Sequence, residues 1–107
     1  MKPGFVPVAE ANELAAGMMK RIQLEGKRLL LANAEGTHYA VDEMCSHEDY
    51  SLYLGCVKGK RIKCSLHGSY FSLETGEPQA QPAQAPIRTY PVLVAEGKVW
   101  VNPDGWA

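Results

Sequence analysis

Two short segments, Cys45-Ser46-His47 and Cys64-Ser65-Leu66-His67, stand sixteen residues apart, and each pairs one thiol with one imidazole. A fold that uses them must bring two separate loops to one point. Short ligand loops suit a metal centre, because a bound metal offsets the entropy lost in ordering them. The chain has three cysteines, an odd count that fits poorly with a disulfide-stapled secreted domain. Metal ligation in a reducing compartment accounts better for cysteines that sit beside histidines.

The ligand set narrows the metal. Two Cys and two His can hold zinc tetrahedrally. Zinc fingers, however, usually pair Cys with Cys and His with His, whereas each loop here carries one of each. The mixed pairing suits a two-iron cluster in which both thiolates hold one iron and both imidazoles the other. A zinc-binding interaction module remains the non-redox alternative. Replacing two thiolates by neutral imidazoles removes negative charge, so the reduction potential rises above that of a four-Cys cluster. The imidazoles are also titratable, so the potential should fall at high pH. With every position filled by protein, such a centre transfers electrons and performs no bond chemistry.

Around these loops the chain reads as strands punctuated by turns. Phe5 to Val8 is a short strand candidate, and residues 12–17 a short connection. Lys20 to Leu24 and Lys27 to Asn33 flank Glu25-Gly26, and His38 to Val41 follows Glu35-Gly36. Ile87 to Val94 and Lys98 to Asn102 form a last hairpin through Glu96-Gly97. Between the two strand-rich blocks, residues 43–86 read as loop-rich chain that needs more than apolar burial to hold it. The expected fold class is all-β, with strand-rich chain on either side of a loop-rich middle. Its 107 residues suit one domain.

A net charge of −1 argues against a nucleic-acid binder that relies on bulk positive charge. The N-terminus carries no signal-peptide pattern, and the densest aliphatic run, Leu29 to Ala32, is too short to span a bilayer. The expectation is a soluble, monomeric cytoplasmic protein with no membrane or nucleic-acid partner.

The pattern C-x-H, sixteen residues, then C-x-x-H-G resembles the Rieske ferredoxins of bacterial aromatic-ring dioxygenase systems. The similarity extends to Tyr39-Ala40-Val41, Phe71, Thr75-Gly76, Pro82 and Tyr90-Pro91-Val92. It implies one [2Fe–2S] cluster held by Cys45, His47, Cys64 and His67, in the Rieske fold: a small antiparallel β-sandwich from about 1–42 and 87–107 with a cluster-binding subdomain at about 43–86. It also implies that Pro82 lies in a loop covering the third side of the cluster. The chain departs from the family at Ser65, where proline is usual, and at Leu54, where aspartate is frequent. Respiratory Rieske proteins join their ligand loops by a disulfide whose cysteines correspond to Tyr50 and Leu66, so that bridge is absent. Those proteins place a serine donor to cluster sulfur at the position of Ser69, and a tyrosine donor where this chain has Phe71.

The resemblance implies a carrier between a flavin-dependent NAD(P)H reductase and a terminal Rieske oxygenase. The alternative is the small Rieske-like subunit of an assimilatory nitrite reductase. Glu48, Asp49 and Tyr50 beside the first histidine are candidates for partner docking. Cys56 reads as a small residue on a hairpin, Lys58-Gly59-Lys60-Arg61 as a solvated hairpin tip, and His38 as an ordinary strand histidine.

Overall fold

The computed structural model describes residues 4–44, 51–64, 70–78 and 86–104. Ten strands run through them: β1 (Val6–Glu10), β2 (Met19–Leu24), β3 (Lys27–Ala34), β4 (Thr37–Asp42), β5 (Cys56–Lys58), β6 (Arg61–Lys63), β7 (Tyr70–Ser72), β8 (Thr89–Tyr90), β9 (Val92–Ala95) and β10 (Lys98–Val101). One 3₁₀ turn, Leu52–Leu54, precedes β5. All pairings are antiparallel. They form three sheets, in the orders β1-β10-β9, β2-β3-β4-β8 and β5-β6-β7.

The tight turns follow from local chemistry. Glu25-Gly26, Glu35-Gly36 and Glu96-Gly97 all have positive φ at both residues, between 51° and 92°. Two successive positive φ values give the type I′ geometry, whose twist matches paired strands. Glycine adopts it freely, whereas each glutamate is held there by the strands on either side.

Strand β3 explains the stacking of the sheets. Residues 29–34 are all buried, on both faces of the strand. Leu29 and Leu31 pack with Ile22, Ala40, Tyr90, Val99 and Val101, which joins the second sheet to the first. Leu30, Ala32 and Ala34 point the other way and pack with Val41, Leu52, Ile62, Phe71 and Leu73. The aliphatic run Leu29 to Ala32 is therefore a strand between two cores, and full burial of each leucine stabilises by about 1.5–3 kcal/mol.

Two expectations change. Ile87 to Val94 is not one strand. It breaks at Pro91, which lacks an N–H, and the chain leaves β4's sheet through β8 to enter β10's sheet as β9. Residues 43–86 also contain a three-stranded sheet whose apolar face shares a core with β3 and β4. Leu52, Ile62 and Phe71 there are completely buried, so apolar burial carries more of that stretch than its loop-rich sequence suggests.

Candidate metal centre

Cys64 follows β6 directly and is 1% exposed, in the same core as Leu52, Ile62 and Phe71. The β6–β7 hairpin sets its place. Lys63 pairs with Tyr70, so the segment 64–69 is closed at its base by a strand pair. A thiolate in such apolar surroundings is costly unless a metal shares its charge. Cys64 therefore fits a cluster ligand. Cys56 is exposed on β5 opposite Lys63 and belongs to a different environment.

Cys45, His47, Glu48, Asp49, Tyr50, Leu66, His67, Ser69 and Pro82 lie outside the described residues. Among the described residues no group of three or more His, Cys, Asp or Glu could hold a metal. The frame on which those segments stand is described in full.

The first segment, 45–50, leaves β4 through Glu43 and Met44 and returns at Ser51. Met44 and Ser51 form an antiparallel bridge across its base. Glu43 fastens both ends and is only 5% exposed. Its carboxylate accepts from the Ser51 hydroxyl at 2.6 Å. Its carbonyl accepts from the Leu52 N–H at 2.7 Å, and its own N–H donates to the Arg28 carbonyl at 3.2 Å. The Ser51 hydroxyl in turn accepts from the Tyr53 N–H at 3.2 Å. Sequence reasoning missed Glu43 and Ser51. The available signal was an acid two residues before Cys45 and a serine opening the turn after the segment.

The third segment, 79–85, starts beyond Pro78, which bridges to Phe71. The chain returns at Ile87, whose N–H donates to the Gly76 carbonyl at 2.9 Å. A Cβ on Gly76 would lie 2.0 Å from the Ile87 carbonyl oxygen, and its φ of +81° is left-handed, so glycine is required twice over. Gly55 is required by approach alone, since a Cβ there would meet the Lys63 carbonyl oxygen at 1.7 Å. The chain after the first segment thus lies directly against the residue before Cys64. Leu52, Cys64 and Phe71, one at the base of each segment, share a single core.

Asp42 and Tyr90 secure the entry and exit of this region. The Tyr90 hydroxyl donates to Asp42 Oδ1 at 2.6 Å, and the Arg88 N–H donates to Asp42 Oδ2 at 3.0 Å. The Asp42 N–H donates to the Arg88 carbonyl at 2.9 Å. Burial and then the Asp42 bond push the Tyr90 phenol well above its ordinary range. His38, on β4, lies outside the ligand segments, and burial lowers its pKa. No helix among the described residues is long and apolar enough to cross a membrane.

Comparison with known proteins gives a consistent picture. Residues 4–91 match the family described as the Rieske [2Fe-2S] domain. The chain is 32% identical over 98 residues to the ferredoxin component of biphenyl 2,3-dioxygenase from Rhodococcus jostii (strain RHA1), covering 92% of each. It is 33% identical over 102 residues to the ferredoxin component of a naphthalene 1,2-dioxygenase system from Pseudomonas aeruginosa, covering 95% of this chain and 98% of that one. Among solved structures, a chain in the complex of reduced oxygenase and oxidized ferredoxin in carbazole 1,9a-dioxygenase superposes with a TM-score of 0.91 at 28% identity, covering 99% of both. The ferredoxin of carbazole 1,9a-dioxygenase from Nocardioides aromaticivorans IC177 gives 0.88 at 29% identity, covering 94% of this chain and 98% of that one.

Proposed function

Because the chain belongs to the Rieske [2Fe–2S] domain family, we propose that it is a ferredoxin carrying one electron from a flavin-dependent NAD(P)H reductase to a terminal aromatic-ring dioxygenase. Its cofactor is one [2Fe–2S] cluster. The observation that carries the reading is its likeness, over nearly their whole lengths, to ferredoxin components of aromatic dioxygenase systems. The same likeness favours this reading over a nitrite reductase subunit.

Cys45, Cys64, His47 and His67 would hold the cluster through two thiolates and two imidazoles. When bound, it stores and releases a single electron. The chain's own residues hold and shield it. Cys64 stands on an apolar core, Glu43 and Ser51 tie the ends of the first segment, and Lys63 and Tyr70 tie those of the second. Ser69 would donate to cluster sulfur, Leu66 corresponds to a bridging cysteine of respiratory relatives, and Pro82 would cover the remaining side. Residues 43–86 form the cluster-binding part of a single domain that works in the cytoplasm as a monomer. Glu48 and Asp49 attract a basic patch on the oxygenase, and Tyr50 adds flat apolar contact.

Purified protein should be red-brown, with about two irons and two sulfides per chain. Alanine at Cys45, His47, Cys64 or His67 should bleach it, and Cys56→Ser should not. NAD(P)H should reduce it through the reductase, and the reduced protein should reduce the oxygenase in stopped-flow mixing. Stoichiometric zinc after expression with ample iron, or failure to reduce any ring-hydroxylating oxygenase, would refute the reading.

A further inference from the structure

The β5-β6-β7 sheet has one face in the core and one in solvent. Val57, Ile62 and Phe71 are in register and point inward. The outward face is set by the other pairs: Cys56 with Lys63, Lys58 with Arg61, and Lys63 with Tyr70. Four of the chain's eleven Lys and Arg residues, Lys58, Lys60, Arg61 and Lys63, fall within this single hairpin, which contains no acid. On a chain of net charge −1 this is a marked segregation of charge.

Among the described residues no acid pairs with any of these cations. The ion pairs among the described residues are Lys20–Glu13 and Lys27–Asp104, both elsewhere. The nearby acids Glu74 and Glu77 are exposed and pair with none of the four. Two of the cations are held in place. The Arg61 guanidinium lies 4.6 Å from the centre of the Tyr70 ring, and the Lys63 ammonium 5.8 Å. A guanidinium already ordered on an aromatic ring loses less freedom when it grips a carboxylate. The face also borders the cluster-binding chain directly. Lys63 precedes Cys64, and Tyr70 follows the segment that holds His67.

We propose that this cationic face is the docking surface for an acidic patch on the reductase. The assignment rests on the carrier reading above, in which Glu48 and Asp49 engage a basic patch on the oxygenase. That same basic patch would be repelled by Lys58, Arg61 and Lys63, so the partner that suits this face is the electron donor. Opposite charges on two surfaces then let one small carrier discriminate between its two partners.

The test is Lys58→Glu with Arg61→Glu, two exposed positions that do not adjoin a ligand, with Lys98→Glu on β10 as a distant charge control. At low ionic strength the double variant should be reduced by the flavoprotein about tenfold more slowly than the parent, and the gap should close as salt screens the face. Electron delivery to the oxygenase should change less than about twofold. A probe free of partner identity is hexacyanoferrate(III), which takes one electron from the reduced protein and becomes hexacyanoferrate(II). Its trianion should oxidise the double variant several-fold more slowly at low salt, while Lys98→Glu stays near parent. If the charge reversal bleaches the protein, Lys58→Gln with Arg61→Gln should give the same trend at smaller amplitude. Equal reduction rates at low salt with the visible spectrum intact, or equal slowing in both half-reactions, would overturn the proposal. A parent protein that the reductase does not reduce would instead overturn the carrier reading.

Discussion

Single residues decide how firmly the ligand segments are held. Ser51→Ala would leave the buried Glu43 carboxylate without its 2.6 Å donor. Losing one partner of a buried, charge-assisted bond costs about 1–3 kcal/mol. In a domain of this size the temperature at which the visible colour is lost should therefore fall by several degrees, and Ser51→Thr, which keeps the hydroxyl, should restore most of it. Tyr90 offers a pH signature. Its phenol is held above the ordinary value of 10 by burial and by the bond to Asp42. Below that ordinary pKa its contribution to stability is fully present. Above it the unfolded chain ionises while the folded one does not, so stability is lost as pH rises toward the folded value. Tyr90→Phe should lower stability near neutrality and flatten the decline above about pH 10, as thermal melts across that range would show. In the proposed function the Ser69 hydroxyl would donate to cluster sulfur and so favour the reduced cluster. If it contributes roughly 1–2 kcal/mol, Ser69→Ala should lower the potential by about 40–90 mV, and film voltammetry showing no drop would remove Ser69 from the site. Phe71 is buried in the core and has no hydroxyl to compensate.

At the scale of elements, the turns were legible and the third strand of the β5-β6-β7 sheet was not. Each of the three Glu-Gly pairs reads as a hairpin turn because the flanking runs alternate and glycine supplies the positive φ. The glutamates are exposed in that conformation and gain nothing from it. Asparagine tolerates it better, so Glu25→Asn and Glu96→Asn should each stabilise by about 0.5–1 kcal/mol, nearly additively because they lie on different sheets. Thermal melts of the singles and the double variant would check this. By contrast β5, β6 and β7 have three residues each. The β5–β6 hairpin was marked by its Lys58-Gly59-Lys60-Arg61 tip, but β7 was hidden: three residues carry too little alternation to stand out, and Val57, Ile62 and Phe71 become a pattern only once the strands are paired. The switch of sheets at Pro91 was hidden for another reason. The apolar run continues through the proline, and only the missing N–H marks the place where the chain changes partners.

For the whole molecule, β3 is the shared wall between two cores, and its neighbouring leucines separate them. Leu31 faces the sandwich and Leu30 faces the core that contains Cys64. Alanine at either should cost about 2–5 kcal/mol. The two losses should differ in kind. Leu30→Ala should speed bleaching by a chelator at temperatures where circular dichroism still reports a folded protein, whereas Leu31→Ala should lose colour and fold together. Equal behaviour of the two variants would mean the cores melt as one. The sequence foretold an all-β antiparallel chain from its turns. It did not reveal the layering, because a strand buried on both faces lacks the alternation that marks a half-buried one, and Leu29 to Ala32 reads only as an apolar run. One further consequence lies in the junction of Asp42 with Arg88, where the chain enters and leaves the ligand-bearing stretch within a hydrogen bond of itself. A stretch whose two ends meet can be exchanged as a cassette. Grafting a relative's segment between these positions should transplant its redox potential and its choice of partner onto an unchanged scaffold.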